Sequence, residues 1–221
     1  MQLDFSIIFN YIPEFVSALG VTLKVTVCSL LLGLVFSVPL SLFKISGIKP
    51  LEWFAALYTS IFRGVPLMAQ VFMMYFGVPL VLPVKFTAFT AGTLVFSMNS
   101  AAYISESMRG GIRAIDKGQY EASMALGVRY GAMMKDIILP QAIKSVMPSL
   151  VNEFISLLKN TTLIASIGLV DILRVGQLIQ SRTYRAFEPF FAISVFYYVL
   201  VMALSFLGKL LERWVNKSDR R

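Results

Sequence analysis

Three stretches of the chain carry polar side chains among apolar neighbours, and their spacing puts those side chains on helical faces. Asn99, Tyr103 and Glu106 recur at i, i+4 and i+7, one stripe of a helix. Glu153, Leu157, Asn160 and Ile164 form a second such face, flanked by Lys159 and Thr161. Arg63, Pro66 and Gln70 interrupt a third run, where a proline frees a backbone carbonyl for another partner. Arg63, Lys159, Thr161 and Asn99 can donate hydrogen bonds, and Glu153 and Asn99 can accept them. This is chemistry for holding a charged solute. Little in the chain suits transforming one. Histidine is absent and Cys28 is the single cysteine, which removes the usual general base, the usual metal ligands and any disulfide framework. No carboxylate pair stands at catalytic spacing and no G-x-x-x-x-G-K phosphate loop occurs, so no enzyme, metal or cofactor site is expected.

Such faces require long helices in an apolar setting. Hydrophobic residues make up 57% of the 221 and charged ones 14%, with a mean hydropathy of +0.74. A soluble domain carries about 25% charged residues, so most of this surface is expected to face lipid. A spanning helix needs about 20 mostly apolar residues, and five runs qualify, at about 19–43, 54–82, 86–108, 145–170 and 186–210. The first is too long for a signal-peptide core and lacks a basic leader, so it is expected to be retained. The expected fold is an all-α integral membrane protein forming a single transmembrane domain over 1–221.

The charge balance orients it. The formal charge of +8 resides at the edges of apolar runs rather than in a polar patch, which argues against nucleic acid. On one side stand Lys85, Arg174, Arg182 and Arg185. On the other stand Lys44, Lys49, Arg109, Arg113, Lys117, Arg129, Lys135 and Lys144, with Lys209, Arg213, Lys217, Arg220 and Arg221 in the tail. Thirteen against four places the N-terminus outside and the C-terminus and the 109–144 connection in the cytoplasm, which five spans satisfy.

That connection has helix signals. Asp116 followed by Gln119 has the form of a capping box. Ala122, Met124, Ala125 and Leu126 extend the helix, and Gly127 suits a left-handed C-cap. A second helix over about 130–139 is expected to end at Pro140. Two short helices meeting at a glycine corner can present a rigid surface to a partner.

Glu121-Ala122-Ser123, Gly127 and Ile137-x-Leu139-Pro140, at these spacings, resemble the EAA loop of permease subunits of bacterial ATP-binding-cassette (ABC) importers. Ser123 stands where that family has a second alanine. The runs AAYISESMRGGIRAIDKGQYEASMALG, VNEFISLLKNTTLIASIGLVDIL and FRGVPLMAQ resemble its polar amino acid branch. The resemblance implies a transport subunit of the bacterial inner membrane, with ATP and Mg bound on a separate ATPase subunit. It implies two ATPase subunits, a second permease that makes a homo- or heterodimer, and an extracytoplasmic amino-acid-binding protein. Asp116, Gly118, Gln119, Glu121, Ala122, Ala125, Leu126, Gly127 and Pro140 would then form the ATPase-coupling loop. Arg63, Gln70, Asn99, Tyr103, Glu153, Leu157, Lys159 and Thr161 would serve the substrate. Glu153 has no basic residue three or four positions away. Its partner is then either the cationic side chain of arginine, lysine or ornithine, or Lys159 or Arg63 within the protein. An ion-coupled secondary transporter and a non-transporting membrane scaffold are the competing classes. Internal inverted repeats, usual in the first, are not evident, and the second leaves the polar span interiors unexplained.

Overall fold

The computed structural model describes residues 3–216, and every regular element among them is a helix. Lys217, Arg220 and Arg221, part of the expected charge asymmetry, lie outside the described residues. A short α1 (Ser6–Phe9) leads into the 34-residue α2 (Ile12–Ile45). Then follow α3 (Lys49–Gly64), α4 (Leu67–Val81), α5 (Ala88–Arg113) and α6 (Lys117–Ala125). The chain closes with α7 (Tyr130–Ile167), α8 (Ile172–Thr183) and α9 (Phe187–Asn216).

The centre of the fold is the α2–α5 pair. The buried face of α2 is a stripe of small residues that includes Ala18, Thr22, Thr26, Ser29, Gly33 and Ser37. Between lipid-facing helices apolar burial provides little drive, so close backbone approach and interhelical hydrogen bonds hold the pair. Ser29 donates to the Thr93 carbonyl at 3.3 Å. At Gly33 a Cβ would stand 3.0 Å from Ser100 Cβ and 3.3 Å from the Ser97 carbonyl. Around this seam Val25, Val71, Val95, Phe96, Leu157 and Ile164 form the main apolar core. Large apolar side chains elsewhere point outward, Leu80 being 87% exposed, as lipid contact allows.

By length and composition, α2 and Phe187–Trp214 of α9 can each cross a membrane alone. The pairs α3–α4 and α7–α8 qualify only together, bent by 103° and 45°, so the candidates number two, or up to four. The expected run 86–108 falls on α5, which is 26 residues long but is too polar to be counted with them.

Two sequence expectations are corrected. The run 54–82 is not one straight helix. Val65 is extended (φ −91°, ψ 135°) between α3 and α4, because the ring of Pro66 disfavours helical geometry in the residue before it. Nor does the helix that begins at Tyr130 stop at Pro140. A π turn at Met133–Ile138 runs directly into Leu139–Asn160. The wider turn moves the carbonyls that the proline ring would strike, and the missing N–H is absorbed there. Gln141 Nε2 then donates to the Ile137 carbonyl at 2.8 Å.

Candidate binding cavity and partner surface

Pro66 starts the site. In an unbroken helix the N–H of residue 66 would bond the Phe62 carbonyl, and proline has no N–H to give. Instead Asn99 Nδ2 donates to that oxygen at 2.6 Å and Gln70 Nε2 at 3.0 Å. Gln70 Nε2 also reaches the Val65 carbonyl at 2.8 Å. Thus α5 and α4 satisfy the carbonyls that the break releases. Beside it opens a cleft of about 490 Å³, lined by Phe62, Arg63, Pro66, Asn99, Tyr103, Glu153, Ser156 and Asn160 among others.

Glu153 is the acidic group of this cleft. Ser100 Oγ donates to its Oε1 at 2.6 Å. Among the described residues no other hydrogen bond and no ion pair reaches it. Neither Lys159 nor Arg63 pairs with it. Lys159 is exposed and outside the lining, while the Arg63 guanidinium lies 4.9 Å over the Tyr103 ring, a cation–π contact. The cleft therefore holds a carboxylate on the α7 side and a guanidinium on the α3 side, neither with a partner of opposite charge among the described residues.

Arg63, Asn99, Tyr103 and Glu153 of the expected substrate set come together here. Gln70 braces the break instead of lining the cleft. Leu157 is buried in the apolar core. Thr161 is fully buried and donates to the Leu158 carbonyl at 2.7 Å. Ser156, missed in the sequence, was available from its position three residues after Glu153, on the same helical face. Ser100 was harder to find, because its role depends on how α5 meets α7. Next to the cleft, Arg63, Tyr103 and Glu106 line a second recess. Glu106 there pairs with Arg109 at 2.6 Å and with Lys44 of α2 at 2.8 Å.

At the far end of α5, Asp116 is the N-cap of α6 and accepts the Gly118 N–H at 2.6 Å. The Gln119 N–H bonds the Asp116 carbonyl at 3.0 Å. The helix closes as a Schellman motif, Val128 N–H to Ser123 O and Gly127 N–H to Met124 O, both 3.0 Å, with Gly127 at φ +70°. Ser123 is the inward residue, its hydroxyl donating to Gln119 O at 2.6 Å. Glu121, Ala122, Ala125 and Leu126 are all exposed, Leu126 at 82%. Desolvation, then the nearby Tyr130, holds the Tyr120 hydroxyl above its ordinary pKa, so it stays neutral. The result is an uncovered apolar ridge with one carboxylate at its edge.

Residues 30–217 match the model of a family described as binding-protein-dependent transport system inner membrane component. An arginine transport system permease protein of Bacillus subtilis is 47% identical over 219 residues, 99% of this chain and all of that one. A putative glutamine transport system permease protein of Rickettsia felis is 46% identical over 193 residues, 87% and 88% of the two chains. Among solved structures, an amino acid ABC transporter crystallised with histidines matches with a TM-score of 0.92 at 40% identity, covering 96% of this chain and 99% of that one. The methionine transporter MetNI in an inward-facing form shares the fold, with a TM-score of 0.80 at 20% identity over 93% and 98% of the chains. With its polar cleft and helical frame, the chain belongs to the binding-protein-dependent transport system inner membrane components, as a permease subunit and not an enzyme.

Proposed function

We propose that, within an amino acid ABC importer, this permease subunit passes a basic amino acid such as arginine or lysine through the cleft at the Pro66 break. The observation that carries this is Glu153. It is a carboxylate inside the bundle, held by one serine hydroxyl and paired with no cation among the described residues. An uncompensated charge at membrane depth is costly, and a guanidinium or ammonium side chain of the substrate offsets it. Arg63 and the Asn160 amide supply donors for the substrate carboxylate. The two relatives named for arginine and glutamine transport agree with a polar amino acid, and the partnerless Glu153 favours the cationic one.

Five passes with the N-terminus outside fit the thirteen-to-four asymmetry of Lys and Arg, the second pass being broken at Val65 and Pro66. Irregular backbone at membrane depth is tolerated where it lines a cavity, and this break does. The ridge of α6 then faces the cytoplasm and packs against one of two ATPase subunits, where ATP and Mg are bound. A second permease, identical or related, closes the open side of the cleft, and an extracytoplasmic binding protein delivers the substrate.

The test is uptake into vesicles holding the reconstituted complex, with labelled arginine and labelled glutamine supplied separately. Glu153→Gln should lower arginine uptake by about tenfold or more, the loss of one charge-assisted contact, and leave glutamine uptake within about twofold. Equal loss for both substrates, or for neither, overturns the assignment of Glu153.

A further inference from the structure

We infer that the recess beside the cleft is a second station on the transport path, one that holds the α-carboxylate common to every amino acid. The station rests on the proposed reading of the cleft as the substrate's route, and not on the choice of a cationic side chain. Arg63 and Tyr103 line both cavities, and the guanidinium lies over the ring at 4.9 Å. This stacked pair is therefore the wall between a cleft of about 490 Å³ and a recess of about 500 Å³. Each has the size of a small-molecule site.

Which polar groups of the recess are already engaged decides its ligand. Thr59 donates its hydroxyl hydrogen to the Ala55 carbonyl at 2.7 Å. Glu106 has Lys44 on one carboxylate oxygen at 2.8 Å and Arg109 on the other at 2.6 Å, so the acid in the lining is already answered by two cations. Three donors remain: the Arg63 guanidinium and the hydroxyls of Ser60 and Tyr103, none with a hydrogen bond among the described residues. Ala56, Ser60 and Arg63 stand at i, i+4 and i+7 on α3, so the free serine hydroxyl and the guanidinium share one face. A guanidinium fork flanked by hydroxyls fits a carboxylate, which it can bind through two parallel hydrogen bonds. The cationic side chain of arginine or lysine finds no unpaired acid here, and Ala56 and Gly64 are too small to read any other.

The two cavities thus differ in what they recognise. The cleft adds the carboxylate of Glu153 and can select a side chain, whereas the recess meets only the part that all amino acids share. In the proposed orientation α5 runs toward the cytoplasm, and the seven-residue step from Asn99 to Glu106 descends about 10 Å, which puts the recess on the exit side. A carboxylate can pass from one side of the Arg63 guanidinium to the other while keeping its counter-charge. It is then never left uncompensated at membrane depth, where a bare charge is costly.

The test is Vmax and KM for labelled arginine and for labelled glutamine in vesicles holding the reconstituted complex. Ala56→Phe, which fills the recess, should lower Vmax for both by about tenfold or more. Ser60→Ala should lower both by about threefold to tenfold, the scale of one hydrogen bond to a charged group, and Ser60→Thr should keep most of the rate. KM should stay within about twofold, because substrate reaches the recess after the cleft has selected it. Unchanged Tm and co-purified ATPase in Ser60→Ala separate this loss from misassembly. A shift in the ratio of arginine to glutamine uptake, or in KM with Vmax intact, overturns the inference by making the recess part of the selective site. Full uptake in Ala56→Phe, while Ser156→Phe in the cleft blocks it, overturns the second station alone. Full uptake in both overturns the cleft as the route as well.

Discussion

On α5, two serines six residues or fewer from Glu106 bond charged groups of opposite sign: Ser100 Oγ donates to Glu153 at 2.6 Å, and Ser105 Oγ accepts from Lys44 Nζ at 2.7 Å. The second charge is fully answered. Lys44, 8% exposed, is also paired with Glu106, which Arg109 holds from the other side. The first is not, and that difference separates a frame contact from a binding group. Removing one partner of a buried pair leaves the other charge stranded. Glu106→Gln should therefore destabilise the complex by about 1–3 kcal/mol, read as a fall in Tm, with little change in the KM for arginine. Lys44→Met combined with Glu106→Gln should recover part of the loss, because the stranded cation is gone. If the double variant is no more stable than Glu106→Gln alone, Lys44 does not depend on Glu106. At the cleft, Ser100→Ala removes the single donor to Glu153 and should lower arginine uptake by about threefold to tenfold, the scale of one hydrogen bond to a charged group. The same substitution should leave Tm nearly unchanged. A loss confined to Tm would instead make Ser100 a packing residue.

At the scale of elements, the close seam between α2 and α5 and the Pro66 break fix the cleft. Gly33 has no room for a side chain, since a Cβ would press on Ser100 Cβ at 3.0 Å. Gly33→Val should force α5 outward, lowering Tm and arginine uptake together, whereas Gly20→Ala on the same helix, where nothing lies within 4 Å, should do neither. A different element end carries strain. Tyr184, which ends α8, sits in the left-handed region at φ 57°, ψ 20° while its side chain is 89% exposed. Such a conformation costs a non-glycine residue about 1–2 kcal/mol, so Tyr184→Gly should raise Tm slightly, by about 1–2 °C after the added unfolded-state freedom of glycine is offset. A fall in Tm would mean that the aromatic ring makes a stabilising contact. The sequence foretold part of this layer. Gly127 announced its left-handed cap and Asp116 its helix start, because both act on their immediate neighbours. Pro66 and Pro140 look alike in sequence, yet one breaks its helix and the other does not. The freed Phe62 carbonyl is met by Asn99 and Gln70, whereas the π turn keeps Tyr130–Ile167 running. That outcome depends on what packs alongside. For the same reason the i, i+4 and i+7 faces showed Asn99, Tyr103 and Glu153, but nothing in the local pattern paired Ser100 with Glu153 or buried Thr161 away from the cleft.

At the scale of the whole molecule, the uninterrupted helix past Pro140 joins two surfaces that otherwise look independent. The corner at Gly127 leads into Tyr130, and from there one rod runs to Glu153 and Asn160. The 23-residue step from Tyr130 to Glu153 amounts to about 35 Å of helix, so beyond the short Gly127 corner no loop separates the ridge of α6 from the cleft. This continuity is what an ATPase acting on α6 requires. Glu121 is the place to test it, because it is exposed and has no hydrogen bond or ion pair within the described chain. Its substitution therefore has no fold-level consequence, and surface changes of this kind stay within about 0.5 kcal/mol. Under the docking proposed for α6, Glu121→Lys would put a cation on the ridge in place of the carboxylate the ATPase would meet. ATP-driven arginine uptake should fall by about tenfold or more, with less ATPase recovered when the complex is purified through the permease, while the Tm of the permease moves by no more than about 2 °C. Restoring the acid with Glu121→Asp should bring back most of the uptake. Uptake that survives Glu121→Lys at full rate would place the ATPase contact elsewhere. Loss of uptake with the ATPase still bound in full amount would leave α6 as the docking surface and assign Glu121 to transmitting the stroke along the rod.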